Sequence, residues 1–294
     1  MRAWQFKQKT IGFGIAKTYY LTVLTGSAAL PSISDVINTK GESGRLEGFG
    51  VPLDQGASKD DLQRPMQRGA YAFATKDRKT VVRMFLLSKE EAGYHPEEFL
   101  RTREAQGLSP ELIARIRATW SLMQLTFETH HPMVHDSLKF ILQLAERLGV
   151  LTDGVIADPV AKTFKLPDEV FTIPQADELV DARDHVKIHV RPRDKGHWLF
   201  SLGMQKFGLP ELELSGVDSE SLKAGGSLLL SICQNALLGA PAKLGQRFGA
   251  PDNPLQVSQG GLETTFWGAV TAHELIPVGK EGVNDCLKAW QEVL

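Results

Sequence analysis

Residues 185–202, HVKIHVRPRDKGHWLFSL, contain two runs of strand-forming residues separated by a turn. In the first run Val186 and Ile188 alternate with polar neighbours, as the residues of a half-buried strand do. The second run, Trp198 to Leu202, is rich in apolar residues, and Pro192 to Gly196 supply the turn. The stretch therefore predicts a β-hairpin. Because the strands of a hairpin pair antiparallel, this prediction favours an α+β fold with antiparallel sheets over a parallel α/β fold.

A second hairpin and a long helix are predicted upstream. Residues 70–75 and 80–87 predict two strands around a turn, whereas residues 41–69 show no clear period and predict a long irregular connection. A helix beginning at Pro132 is the clearest element, because apolar residues recur at steps of three and four. Gly149 stands where its C-terminal cap is expected.

The remaining elements indicate an α+β protein. Residues 18–25 and 120–129 predict strands, residues 222–238 and 283–293 predict helices, and residues 263–266 predict a weaker strand. Strands and helices alternate, but hairpins recur and no long series of β-α-β crossovers appears. This order favours two sandwich units of the split-βαβ (ferredoxin-like) type, with mostly antiparallel sheets, over a doubly wound parallel sheet.

The length predicts two structural units, because 294 residues exceed the usual size of one domain. Residues 88–118 are interpreted as a helical connector, in which Ser109, Pro110 and Glu111 form an N-cap signal. The predicted division places an N-terminal α/β unit with this connector in residues 1–118 and a C-terminal α+β unit in residues 119–294.

The composition is typical of a globular protein, with 42% hydrophobic and 23% charged residues. The formal net charge is −2, and acidic and basic residues are interspersed, so no basic face for a nucleic acid is indicated. The short basic run of Lys76, Arg78 and Lys79 is interrupted by Asp77 and predicts a solvated hairpin tip. No nucleic-acid partner is expected.

Cysteine usage and hydropathy predict a cytoplasmic protein. Cys233 and Cys286 form neither a CxxC motif nor a disulfide framework, which suits a reducing compartment. Residues 1–14 lack the apolar core of a signal peptide. No stretch approaches the ~20 continuous apolar residues that cross a bilayer, so no membrane partner is expected.

Three histidines and an aspartate, His130, His131, His135 and Asp136, lie near the start of the clearest helix. If the helix begins near His131, then His131 and His135 lie one turn apart on one face, a spacing that can bind a divalent metal. The glutamate of an HExxH motif is absent, and the sequence supplies no fourth ligand. His131, His135 and Asp136 are the candidate metal ligands, and capping or surface roles at a helix start are the alternative.

The sequence contains none of the standard catalytic or nucleotide-binding motifs that we sought: GxSxG, GxGxxG and the P-loop. Cys233 lies in an apolar helical pattern and Cys286 in the terminal helix, so both are expected in the core rather than as nucleophiles. The adjacent pair His273 and Glu274 is too small a pattern to predict acid–base chemistry. No catalytic residue and no cofactor is predicted.

The most distinctive segment is residues 197–214, HWLFSLGMQKFGLPELEL. Gly203 and Gly208 permit a sharp turn around Phe207, and Pro210 restricts Leu209 to extended geometry. An architectural role explains this composition and is favoured. The alternative is that the turn presents side chains to a docking partner, for which the candidate residues are Trp198, Lys206, Phe207, Glu211 and Glu213.

The same segment resembles one found in uncharacterised bacterial proteins, in which a tryptophan-bearing strand leads into a G-[LM]-x-[KR]-F-G-x-P-[DE]-L-E stretch. Residues 185–190 and the strand end GVIADP at residues 154–159 are also similar to that group. The resemblance covers about residues 125–238 and excludes residues 1–118. It implies a bacterial protein and carries no established activity.

Three functions from different classes are consistent with the sequence. The leading hypothesis is a non-catalytic binding or regulatory protein that acts through a protein partner, in bacterial defence, immunity or a stress response. The second is a metal-dependent hydrolase that uses His131, His135 and Asp136. The third is a small-molecule sensor with a pocket between its two units. The sequence does not indicate an oligomeric state.

Overall fold

The computed structural model describes residues 15–16, 18–38, 46–53, 60–129, 134–170, 180–260 and 264–293. Its described part divides into two compact units, residues 15–170 and residues 180–293. Each unit contains one large and mostly antiparallel sheet with helices packed on it, which confirms the α+β class. The ferredoxin-like assignment stays a prediction.

The first unit is built around a seven-stranded sheet. The strands of the whole unit, two of which lie outside this sheet, are β1 (Tyr20–Thr25), β2 (Ile37–Asn38), β3 (Leu46–Glu47), β4 (Phe49–Pro52), β5 (Gly69–Ala74), β6 (Val81–Ser88), β7 (Ser121–Thr129), β8 (Val155–Asp158) and β9 (Thr163–Lys165). Its helices are α1 (Ile33–Val36), α2 (Pro96–Phe99), α3 (Pro110–Arg117) and α4 (Val134–Thr152). The sheet order is β4-β5-β6-β7-β1-β8-β9 with antiparallel pairs throughout, and β2 and β3 form a small parallel pair.

Helices cover parts of both faces of this sheet. On one face α4 packs against β1 and β8, and Gly149 allows the approach, because an added Cβ there would lie 2.8 Å from the Ile156 side chain. On the other face Leu112 and Ile116 of α3 join Leu24 in a buried apolar cluster. Gly149 therefore lies inside α4 and serves close packing, and its prediction as a helix cap is wrong.

The second unit has a six-stranded sheet of order β10-β11-β12-β15-β14-β13. Its elements are α5 (Ala182–His185), β10 (Lys187–Pro192), β11 (His197–Leu202), β12 (Glu211–Val217), α6 (Leu222–Leu237), β13 (Arg247–Gly249), β14 (Pro254–Gln259), α7 (Thr264–Trp267), β15 (Ala272–Pro277) and α8 (Val283–Val293). β12 and β15 pair in parallel and the other pairs are antiparallel. The predicted hairpin is thus confirmed as β10 and β11.

The long helices α6 and α8 pack on this sheet. Gly225 brings α6 close to β11, because an added Cβ would lie 2.9 Å from a methyl carbon of Leu199. A glycine in a helix interior costs about 1 kcal/mol relative to alanine, and the close approach explains why it is present here.

The boundary between the units lies near residue 180, and the predicted division at residue 118 is wrong. β7 begins three residues after that division, yet it pairs with β1 on one side and with β6 on the other. A division at residue 118 would separate the central strand of the seven-stranded sheet from both of its neighbours. The predicted helical connector is instead part of the first unit, since α3 contributes to that unit's core.

Candidate functional site

The turn after β11 is held by two glycines with positive φ. Gly203 has φ +129° and Gly208 has φ +68°, and between them Met204–Phe207 form one 3-10 turn. An added Cβ at Gly203 would overlap the carbonyl oxygen of His185, whereas nothing lies within 4 Å of one at Gly208. Backbone geometry therefore favours glycine at both positions, and close packing requires it at Gly203.

Glu211, the first residue of β12, closes this turn. Its Oε1 accepts hydrogen bonds from the backbone N–H groups of Gly203 (2.8 Å) and Gln205 (3.1 Å), and its Oε2 accepts one from the Ser201 hydroxyl (2.6 Å). The Ser201 oxygen in turn accepts a hydrogen bond from the Leu212 N–H at 2.8 Å. Burial raises the pKa of the Glu211 carboxyl, and these hydrogen bonds oppose that shift.

Glu213 connects two tryptophans across the sheet face. Its Oε2 accepts hydrogen bonds from the indole N–H of Trp198 at 3.0 Å and of Trp267 at 2.9 Å. Phe200 and Phe266 complete a cluster of four rings, with centroids 4.2 Å apart for Trp198 and Phe200 and 4.9 Å apart for Phe266 and Trp267. Phe266 and Trp267 reach this cluster from α7, so the strand predicted over residues 263–266 is wrong for the described residues.

The five residues considered as a docking turn lie inside the protein. Trp198, Lys206, Phe207, Glu211 and Glu213 are each at most 2% exposed. A partner contacts exposed side chains, so the expectation that this turn presents them at the surface is corrected. Their hydrogen bonds and ring contacts fit the architectural role, in which the segment shapes the turn and the ring cluster.

A row of side chains crosses this sheet face: His189, Phe200, Glu213, Glu274 and Ser258 lie opposite one another on successive strands. Glu213 and Glu274 are neighbours, and burial, with a contribution from the charge of Glu213, raises the pKa of Glu274. His189 lies three strands from Glu274, a separation of about 14 Å. The row therefore does not place a histidine beside a carboxylate for acid–base chemistry.

His273 and Glu274 point to opposite faces of β15, because successive strand residues alternate. His273 lines a cavity of about 10 Å³ beside Met204 and Leu212, and burial lowers its pKa. That volume holds about one water molecule and no larger ligand.

The candidate metal ligands fall largely outside the described part of the chain. His130 and His131 lie outside it, as does the side chain of His135, although the His135 backbone belongs to α4. Asp136 is described and exposed. Within the described residues, no three histidine, cysteine, aspartate or glutamate side chains converge to hold a metal ion.

Both cysteines are buried free thiols. Burial raises the pKa of Cys233 and of Cys286, with nearby carboxylates adding to the effect. A nucleophilic thiol needs a lowered pKa and access to substrate, so the geometry agrees with the expectation of core positions.

The most exposed apolar surface among the strands of the first unit lies on the edge strand β4. Phe49 and Val51 are each 39% exposed, and Leu53, just after the strand, is 45% exposed. Gly50 points to the opposite, packed side, where an added Cβ would lie 2.6 Å from Ile33. Because strand residues alternate, Phe49, Val51 and Leu53 share the outer face of the sheet.

The outer face continues across β5 and β6. Val51 lies opposite Ala72, and Ala72 lies opposite Arg83, while Phe49 lies opposite Ala74. We call this surface the alanine face and define it by nine residues: Phe49, Val51 and Leu53 near β4, Ala70, Ala72 and Ala74 on β5, and Val81, Arg83 and Phe85 on β6. The six residues on β5 and β6 are half-buried, so the face is accessible across all three strands.

Two guanidinium groups lie at this face. The Arg78 guanidinium lies 5.0 Å from the Phe49 ring centre, and that of Arg83 lies 5.8 Å from the Phe85 ring centre. Arg83 also forms an ion pair with Glu128, with Nε and Oε1 2.8 Å apart. The surface is thus apolar, with the Arg83–Glu128 ion pair along one side and the Arg78 guanidinium at one end.

Sequence reasoning missed this face because β4 falls within the segment interpreted as an irregular connection. The available signal was short: Phe49, Val51 and Leu53 alternate with smaller residues, and Ala70, Ala72 and Ala74 alternate with Gly69, Tyr71 and Phe73. Alanine is less common in strands than β-branched and aromatic residues, and alanines at every second position leave one face of the strand with little side-chain bulk.

Comparison with known proteins finds no matching family model, no matching curated protein and no matching solved structure. The resemblance of residues 197–214 to uncharacterised bacterial proteins therefore stays a prediction. Among the described residues, no helix combines the length and apolar character needed to cross a bilayer.

Proposed function

We propose that the protein is a non-catalytic binding or regulatory protein, and that a protein partner docks on the alanine face. The observation that carries this proposal is the exposure of Phe49 and Val51 on the edge strand β4 and of Leu53 directly after it, all on one face of the sheet. Single exposed apolar residues are common on protein surfaces, whereas contiguous exposed apolar patches mark interaction sites.

The two sheet edges β4 and β10 differ in a way that supports this location. β10 carries Lys187, Arg191 and Pro192, residues that discourage unwanted pairing at an open edge. β4 has the sequence Phe49-Gly50-Val51-Pro52, so it also contains a proline, but unlike β10 it carries no charged residue. An uncharged, apolar edge is an aggregation liability unless a partner covers it, so its presence favours a docking role.

The proposal is tested by placing a photo-crosslinking amino acid at position 51 of the full chain in cells that express the protein. A partner on the alanine face yields a discrete adduct at position 51, and the second substitution Phe49→Asp abolishes that adduct. The matched control is position 190, because Val190 is 47% exposed on β10, and we expect no adduct there. Mass spectrometry distinguishes another protein from a second copy of this chain.

The absence of an adduct at position 51, or equal adducts at positions 51 and 190, would overturn the proposal. Thermal unfolding of Phe49→Asp checks that the chain remains folded. A large effect on folding is not expected, since the side chain is exposed.

We further propose that the protein works in the cytoplasm of a bacterium, in a pathway of defence, immunity or stress response. Two free cysteines support a reducing compartment, and the resemblance of residues 197–214 supports the bacterial source. We also propose that each unit is a sandwich of the split-βαβ type, because each combines antiparallel hairpins with helices that pack on one large sheet.

A further inference from the structure

The alanine face has the shape of a shallow trough. Ala70, Ala72 and Ala74 form its floor along β5, because an alanine side chain rises only one carbon above the sheet. The neighbouring strands bear larger side chains, such as Val51 on one side and Phe85 on the other. Two strand spacings make the trough about 10 Å wide, and the four residue steps from Ala70 to Ala74 make the floor about 13 Å long.

These dimensions fit one α-helix lying along β5. A helix with its side chains is about 10–12 Å across, and a 13 Å length corresponds to roughly nine residues. An extended peptide would instead add to the sheet by pairing with the β4 backbone and would leave the alanine floor uncovered. The small floor therefore distinguishes a helix from an added strand.

The charges at the end of the trough indicate the direction of that helix. Beyond Ala74, the turn of residues 75–79 carries the cations Lys76, Arg78 and Lys79. Glu47, which pairs with Lys76, and Asp77, which pairs with Lys79, offset two of these charges and leave this end of the trough net positive. A helix carries partial negative charge at its C-terminus, where cations are favourable neighbours. Arg83, midway along the trough, is paired with Glu128, so this flank presents both signs of charge to the helix.

Resting on the proposed function, we infer that the docking element is an amphipathic α-helix of the partner protein. Its apolar stripe lies on Ala70, Ala72 and Ala74, and its C-terminal end points to the turn of residues 75–79. Large apolar side chains at steps of three and four residues fill the space above the alanine floor.

The experiment selects binders to the full chain from two display libraries, a helical scaffold with randomised surface positions and a library of unstructured linear peptides. Helical clones with apolar residues at steps of three and four are expected to be enriched. Their affinity should fall at least about ten-fold for Ala72→Trp, which fills the floor, and stay within about two-fold for the matched control Ala72→Ser.

Direction is tested on the same clones. A lysine-reactive group at the C-terminal end of the helix should capture Lys76 or Lys79, and the same group at the N-terminal end should not. Arg78→Glu should weaken binding several-fold, since it places an acid beside the helix C-terminus.

Enrichment of linear peptides with a period of two, equal binding to Ala72→Trp and the wild type, or lysine capture from the N-terminal end would each overturn the inference. So would a selection that enriches no helical clone. If that occurs while position 51 still gives its adduct, the proposed function stands and the helix is wrong; if both fail, the alanine face is not a docking surface.

Discussion

Glu211 is a fully buried carboxyl group whose oxygens accept hydrogen bonds from Gly203, Gln205 and Ser201. Burial penalises its charged form, and this penalty is the largest influence on its pKa, which lies above the usual value of 4.5. Because the folded protein binds this proton more tightly than the unfolded chain does, the residue makes stability depend on pH.

We expect Glu211→Gln to become more stable relative to the wild type as the pH rises above about 4.5. In that range the unfolded chain releases the Glu211 proton before the folded protein does, so the wild type loses stability until the pH passes the folded-state pKa. Glutamine does not titrate and keeps an oxygen for the two backbone donors. Urea unfolding from about pH 4 to pH 8 measures the difference.

Glu90→Gln is the matched control, because Glu90 is an exposed residue of a surface turn. This variant removes one surface carboxyl group, so it separates the effect of burial from the effect of losing an acid. A flat or falling curve for Glu211→Gln would contradict the expected coupling.

At the scale of elements, the turn after β11 depends on glycine for two separable reasons. Gly203 needs both a positive φ and space beside His185, whereas Gly208 needs only the positive φ. Gly208→Ala is expected to lower the free energy of unfolding by about 1–2 kcal/mol, the cost of a left-handed alanine. Gly203→Ala should cost about 1–3 kcal/mol more, because the added methyl group displaces packed backbone.

Chemical denaturation of the two alanine variants gives the comparison directly. Equal losses would show that the backbone angle alone governs this turn. A larger loss for Gly208→Ala would contradict the packing role assigned to Gly203.

At the scale of the whole molecule, strand pairing defines the two units. β7 pairs with β1 and β6, and β12 pairs with β15, so each large sheet is completed within its own unit. A boundary between residues 170 and 180 leaves all of these strand pairs intact, whereas a boundary at residue 118 separates β7 from β1 and β6 in the first sheet.

We expect residues 15–179 and residues 180–294, expressed separately, each to unfold cooperatively. Residues 1–118 should not, because that fragment lacks β7 and leaves β1 and β6 without their shared neighbour. Thermal unfolding followed by circular dichroism and the dispersion of amide resonances measure this. A folded 1–118 fragment, or an unfolded 180–294 fragment, would contradict the assignment of units.

The sequence by itself determined features that depend on near neighbours in the chain. Ser109 caps α3 by accepting a hydrogen bond from the Leu112 N–H, as its position before Pro110 predicts, and the hairpin of β10 and β11 follows from alternation and a short turn. Such features involve residues within a few positions of one another, so their geometry is encoded locally.

Only the tertiary structure decided which strands meet and which polar groups are buried. Phe49 reaches Ala74 and Thr25 reaches Ser121 through pairings across long stretches of chain, and these pairs fixed the alanine face and the boundary of the first unit. Glu213, which alternates with leucines like a solvent-facing acid, is buried because two distant tryptophans donate to it. Such choices depend on which distant surfaces become complementary on folding, which the period of the local sequence does not specify.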